Sequence, residues 1–202
     1  MLVDSHCHLD FAEEADRPEI VARAKRAGVK TLVTICTKLA EFPTVRAIAE
    51  TDPDIWCSVG VHPHEAAAEA TTTVDTLVGL ARHPKCVGIG ETGLDFYYEH
   101  SPRAQQSESF RIHIAAAREA GVPLIVHTRD ADPETIAILE AEKPPAGVIH
   151  CFITGRALAE RAVELGFYIS LSGIITFKTA QELRDIVRDL PLDRLLVETD
   201  AP

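Results

Sequence analysis

The chain lacks several things that would each have fixed its class at once. It has no Cys-x-x-Cys pair, and its five cysteines are an odd number. A disulfide framework is therefore excluded, and a reducing compartment, the cytoplasm, is expected. No apolar run approaches the roughly 18 to 20 residues that span a bilayer, so no membrane segment is expected. The N-terminus has no basic stretch, and Asp4 and His6 interrupt its apolar run, which argues against a secretory signal. Basic residues are scarce: 20 Lys and Arg stand against 31 Asp and Glu, a net charge of −11. Binding nucleic acid by bulk electrostatics is excluded, but capture of one phosphate by a local cation is not. Internal repeats, low-complexity tracts and linkers are also missing.

What is present is ordinary in amount and regular in order. The 202 residues are 46% hydrophobic and 25% charged, enough for one soluble domain with a large core. Eight short apolar runs recur at 2–8, 29–35, 55–61, 86–90, 123–127, 147–150, 166–170 and 194–197. The spacers between them are amphipathic, and those at 22–28, 107–121 and 157–166 end in Gly, the usual helix stop. Buried strands alternating with helices predict a parallel sheet, and eight of them predict a closed (β/α)₈ TIM barrel, class α/β, over residues 1–202 as a single domain. Such barrels typically take about 250 residues. The eighth run is followed at once by Asp200-Ala201-Pro202, so a barrel lacking its C-terminal closing helix is expected, with the natural chain continuing further.

Six good metal ligands sit at or just past the C-terminal ends of these runs: His6 and His8, Glu91, His127, His150 and Asp200. That end is where a parallel barrel builds its active site. Alternation along the first run points Asp4, His6 and His8 one way and Ser5 and Cys7 the other. Two imidazoles two residues apart can grip one ion, and Asp4 could orient one of them. Glu91 closes the glycine-flanked run Cys86-Val87-Gly88-Ile89-Gly90; a buried carboxylate there must be paired or metal-bound. Asp200 could bind one ion and also take the proton of the attacking water, as ligand and general base. Glu198, two residues earlier, is either a supporting partner or a plain salt bridge. His62, in the turn Val61-His62-Pro63-His64, is a candidate substrate contact. So are Arg103 and Arg129, beyond the fourth and fifth runs, although surface arginines and loop histidines are common. Cys7 and Cys151 neighbour candidate ligands, but alternation turns them toward the helix layer.

Taken together the motifs are specific. Asp4-Ser5-His6-Cys7-His8-Leu9-Asp10, Gly60-Val61-His62-Pro63-His64, Gly90-Glu91-Thr92-Gly93-Leu94-Asp95 and His127-Thr128-Arg129-Asp130-Ala131 are followed by His150-Cys151-Phe152, Ser172-Gly173-Ile174 and Leu196-Val197-Glu198-Thr199-Asp200-Ala201-Pro202. This chain resembles the TatD-related metal-dependent deoxyribonucleases, a branch of the amidohydrolase-like barrels, nearly end to end. The resemblance implies two divalent metal ions. One would be held by His6, His8, Glu91 and Asp200, the other by Glu91, His127 and His150. Zn, Mn or Mg would suit this mixed imidazole and carboxylate set. It also implies DNA as substrate, cleaved at single-stranded ends, often from the 3′ end. Where the family usually continues His-Cys-Phe with Thr-Gly-Ser, this chain has Ile153-Thr154-Gly155. Two other readings stay open from the residues alone. One is a metallohydrolase of the same barrel acting on a lactone, amide or small phosphoester; the other is a catalytically silent binding barrel. Nothing in the sequence indicates an oligomeric state.

Overall fold

The computed structural model describes residues 2–201. Eight parallel strands are ordered β1 to β8 around one sheet. They are β1 (Leu2–Cys7), β2 (Val29–Thr34), β3 (Ile55–Val59), β4 (Cys86–Asp95), β5 (Leu124–Arg129), β6 (Gly147–Ile149), β7 (Tyr168–Leu171) and β8 (Leu195–Val197). Seven helices connect them: α1 (Arg17–Arg26), α2 (Phe42–Glu50), α3 (Val74–Ala81), α4 (Arg103–Ala120), α5 (Asp132–Glu142), α6 (Arg156–Glu164) and α7 (Gln181–Asp189). This is the (β/α)₈ TIM barrel. Among the described residues no helix follows β8, and Pro202 of the final motif lies outside them.

The strands are short and apolar because both faces are covered, one by the barrel interior and one by helices. Phe110 of α4, Phe152, Phe167, Ile89, Leu124 and Ile149 are fully buried between sheet and helices or within the barrel. The predicted glycines do end helices: Gly121 caps α4 with φ +68°, and Gly28 and Gly166 follow α1 and α6 at φ +94° and +89°. These are left-handed conformations that glycine adopts without steric cost.

The sheet closes through polar groups rather than a regular ladder. Asp200 N–H donates to His6 O at 2.9 Å and His8 N–H to Ala201 O at 2.6 Å. Asp4 Oδ1 accepts from Thr199 N at 2.9 Å, and Asp4 Oδ2 accepts from the Thr199 hydroxyl at 2.6 Å. Asp4 thus ties β1 to the segment after β8. It does not orient an imidazole, as its place beside His6 had suggested; its contact with His6 is to the backbone N–H, at 3.3 Å. No helix of the described chain is long and apolar enough to cross a membrane.

The fourth strand departs most from its predicted bounds. It runs on through Glu91 to Asp95, because Gly93, Leu94 and Asp95 pair with His127, Thr128 and Arg129 of β5. A register shift between Ile89 and Thr92 puts Glu91 in an irregular stretch within the strand rather than past its end.

Candidate metal centre

Glu91 is the hub. It is 3% exposed, and its two oxygens face different groups of side chains. Oε2 lies 3.3 Å from His6 Nε2 and 3.9 Å from His8 Nε2, and both those nitrogens stand 3.6 Å from Asp200 Oδ1. Oε1 lies 2.7 Å from His150 Nε2, 3.0 Å from His127 Nδ1 and 3.4 Å from His62 Nε2. The close approach of strands that makes this possible depends on glycine. A Cβ on Gly60, at the end of β3, would sit 2.5 Å from the backbone of Gly90, which itself has φ +135°. Only glycine at both positions lets the loop carrying His62 lie against Glu91.

The arrangement suits divalent cations. His6 Nε2 faces His8 Nε2 at 3.3 Å, and His127 Nδ1 faces His150 Nε2 at the same distance. Lone pairs aimed at one another repel, and a shared cation relieves that repulsion. Three overlapping sets each have ligand atoms within 4.8 Å of one another: His6, Glu91 and His150; His6, His8 and Asp200; His62, Glu91 and His127. Imidazole nitrogen mixed with carboxylate oxygen is the donor chemistry of Zn, Mn and related ions.

The charges of the protein alone agree with a carboxylate hub among histidines. Burial would push the Glu91 carboxyl up, but His150, His62 and His6 around it hold it well below the usual range. Burial acts downward on His150, yet Glu91 and Glu198 raise it well above an ordinary histidine. His6 stacks flat on His150 at 3.9 Å, and burial together with that neighbouring charge lowers it. For Asp200, burial is outweighed by the His8 hydrogen bond and by His150 and His6, which bring it down to about 2.

Second partners fix which nitrogen faces the centre. His127 Nε2 lies 3.2 Å from Asp95 Oδ2, so its Nδ1 is turned inward. Asp95 also holds His64 Nε2 at 2.8 Å and accepts the backbone N–H of Tyr97 and Tyr98. Glu198 Oε1 stands 3.5 Å from His150 Nδ1, a charge contact, and accepts the Cys151 N–H at 2.5 Å. For His62 the bond runs the other way. Its Nδ1 accepts the His64 N–H at 3.2 Å, so in the neutral ring the proton is on Nε2, which points at the centre. A protonated nitrogen cannot ligate, and His62 is placed as a donor.

A cavity of about 440 Å³ opens onto these groups. His62, His64, Lys38, Arg129 and Phe11 line it. Arg103 does not: it opens α4, is 57% exposed, pairs with Glu99 and lies over Phe96 at 4.2 Å. Cys7 is buried with its thiol on Val33 O, as alternation predicted. Cys151 is not turned to the helix layer; it lines the cavity with its thiol 3.2 Å from Ser172 Oγ. The chain leaves β6 before Cys151, which has φ +40°, so strand alternation no longer governs it. Asp95, Phe11 and Lys38 were not singled out from the sequence, and His64 stood out only as the partner of His62 in its turn. Asp95 was within reach: had the strand been extended past Gly90, period-two alternation would have put Glu91, Gly93 and Asp95 on one face.

A TIM barrel whose strand ends converge on a histidine and carboxylate cluster defines the class of metal-dependent hydrolases. Comparison narrows the class. The family model described as TatD related DNase matches residues 3–202. The chain is 44% identical over 207 residues to the metal-dependent hydrolase YcfH of Escherichia coli, covering 100% of this chain and 77% of YcfH. It is 36% identical over 190 residues to the 3′-5′ ssDNA/RNA exonuclease TatD of Klebsiella pneumoniae, covering 93% of this chain and 72% of that protein. The crystal structure of YjjV, a TatD homologue from Escherichia coli, superposes with a TM-score of 0.89 at 30% identity, covering 100% of this chain and 79% of YjjV. This chain belongs to the TatD-related DNase family.

Proposed function

We propose that residues 1–202 act as one hydrolase domain that cleaves DNA phosphodiester bonds through two divalent ions, working from the 3′ ends of single strands. The observation that carries this reading is the division of Glu91: one oxygen faces His6, His8 and Asp200, the other His127 and His150. His6, His8, Glu91 and Asp200 would hold one ion, and Glu91, His127 and His150 the other, with Zn, Mn or Mg as candidates. When bound, such ions neutralise phosphoryl charge and lower the pKa of a water. The protein supplies the rest. Asp200 is ionised far below neutral pH and one-third exposed, so it can take a proton from the attacking water and pass it to solvent. His62 presents Nε2–H toward the centre and can donate to a phosphate oxygen. Arg129, at the mouth, adds positive charge in a strongly acidic chain. The name of the Klebsiella relative supports the strand and end preference. The five free thiols fit a cytoplasmic setting.

The test is metal content by mass spectrometry alongside turnover of single-stranded DNA, duplex DNA, RNA and simple lactones. Two equivalents of metal and hydrolysis of single-stranded DNA from the 3′ end are expected. Turnover of lactones with no action on DNA under any divalent ion would sink the reading.

A further inference from the structure

The chain has few aromatic residues, 5% of the total, and it places its exposed ones in a pattern. Among the described residues the exposed aromatic side chains are Phe11, Tyr97, Tyr98 and Phe177. All four lie in the segments between a strand and its following helix, after β1, β4 and β7. They are therefore on the same end of the barrel as the metal centre, and none is on an outer helix face. Exposing 50–59% of such rings has a solvation cost that chance surface placement would spread over the molecule.

Three of them are tied to the centre or to the residues beside it. Phe11 lies parallel to His8, with ring centroids 4.7 Å apart and planes 9° apart. Tyr97 and Tyr98 carry the Arg129 guanidinium at 4.1 and 4.8 Å, and both have their backbone N–H bound by Asp95. In a ring of eight strands, β5 stands opposite β1, so Arg129 at the end of β5 lies across the mouth from Phe11, and both line the central cavity. Tyr97, under the guanidinium, lines the cavity beside it.

We infer that these are base-stacking platforms. Phe11 receives one base beside the scissile phosphate, and Tyr97 with Arg129 receives a base on the other side. This deepens the nuclease reading above and rests on it. Flat apolar rings and a guanidinium bind the π-face that every base has, so the site holds a single strand with little regard to sequence. It also makes up for the acidic surface: stacking supplies attraction that a chain of net charge −11 cannot supply along a phosphate backbone.

The experiment compares a ten-residue thymidylate oligomer with a ten-residue abasic oligomer on the metal-loaded protein, following binding by fluorescence anisotropy and hydrolysis by product analysis. One stacked base is worth ~5- to ~150-fold in affinity. The wild type should therefore bind the thymidylate at least ~10-fold more tightly. In Phe11→Ala and Tyr97→Ala that preference should shrink toward one. Phe11→Trp, which keeps a flat ring, should retain it and guards against a folding defect. Cleavage of both oligomers with equal affinity in the wild type, or an undiminished preference in both alanine variants, would overturn the platforms and leave the nuclease standing. A wild type that neither binds nor cleaves either oligomer would overturn both. If the rings served to dock a protein, the preference would be near one in every variant.

Discussion

The two sides of Glu91 are built differently. On the Oε1 side, a carboxylate stands behind each of His127 and His150, and it braces His127 by a hydrogen bond. His127 has Asp95 at 3.2 Å, and His150 has Glu198 at 3.5 Å, a charge contact rather than a short hydrogen bond. Both carboxylates are held below their usual range despite burial, Asp95 by His127 and His64, Glu198 by His150. On the Oε2 side, the Nδ1 atoms of His6 and His8 have no hydrogen-bond partner, as is also true of His150 Nδ1 on the other side, and Asp200 is one-third exposed. A braced imidazole has its ring orientation fixed before an ion arrives, so little ordering remains to be done on binding. An unbraced set with an exposed acid is better suited to exchange and proton transfer. Under the proposed function the difference predicts a division of labour, with one side gripping an ion and the other reacting. It predicts that chelation removes one equivalent of metal well before the second.

The largest effect should come from the residue both sides share. Glu91→Ala removes the carboxylate from both sets and should abolish hydrolysis, a loss of at least ~10³-fold since several kcal/mol of charge stabilisation go with the ions. Turnover near wild type in a protein stripped of adventitious enzyme would break the comparison at its root. Next comes the reacting side alone. Asp200→Asn removes proton acceptance and should cost ~10²- to ~10⁴-fold in kcat. One tightly held equivalent of metal should remain. Asp200→Asn working at an ordinary rate would show that the base lies elsewhere.

The gripping side is tested through its braces. Asp95→Ala leaves every facing nitrogen in place but frees His127 and His64, and should weaken one metal by ~10- to ~100-fold. If the two equivalents then dissociate together, the asymmetry is due to Asp95. Both sides should also lose metal as pH falls, because imidazole must be unprotonated to ligate. Metal content unchanged through extended acidic dialysis would count against a histidine-based centre.

The positions that gather round Glu91 were legible in one dimension, and the contacts of the carboxylates behind them were not. His6, His8, His127, His150 and Asp200 each interrupt or follow an apolar run, and strand periodicity with barrel topology is enough to gather such positions at one end. Asp95 was hidden because the run was ended at Gly90, where the sequence turns polar; only pairing with Thr128 and Arg129 carries the strand further. Arg103 and Arg129 looked alike in the sequence. What separates them is local: Glu99, four residues before Arg103, draws it outward, while the tyrosines after β4 hold Arg129 at the mouth. The orientation of the His62 ring turns on a single backbone N–H, that of His64, which no pattern of residue types reveals.

The smallest effect concerns the outermost brace of the gripping side. His113 of α4 is fully buried, its Nε2 accepts the Val61 N–H at 2.9 Å, and its Nδ1 lies 2.7 Å from Ser109 O. Val61 precedes His62, so this ring anchors the turn that presents His62 to Glu91. Both bonds require the neutral ring: Nε2 must keep its lone pair while Nδ1–H donates. Burial lowers His113 from 6.5 to about 4, with the Ser109 bond opposing. The sign follows from proton uptake. Between about pH 6.5 and 4 the unfolded chain binds a proton that the folded chain refuses, so stability falls as pH falls through that window. Above it the penalty is absent, and below it the loss levels at about 3 kcal/mol. Urea unfolding of metal-free protein at pH 7 and pH 5 reads most of this, about 2 kcal/mol. His113→Gln cannot take up the proton in either state. It should lose a hydrogen bond at pH 7, at about 1 kcal/mol, and its pH 7 to 5 difference should be smaller than the wild type's by that same ~2 kcal/mol. An unchanged difference in the variant would assign the acid sensitivity to the histidines of the centre and remove His113 from the chain of braces.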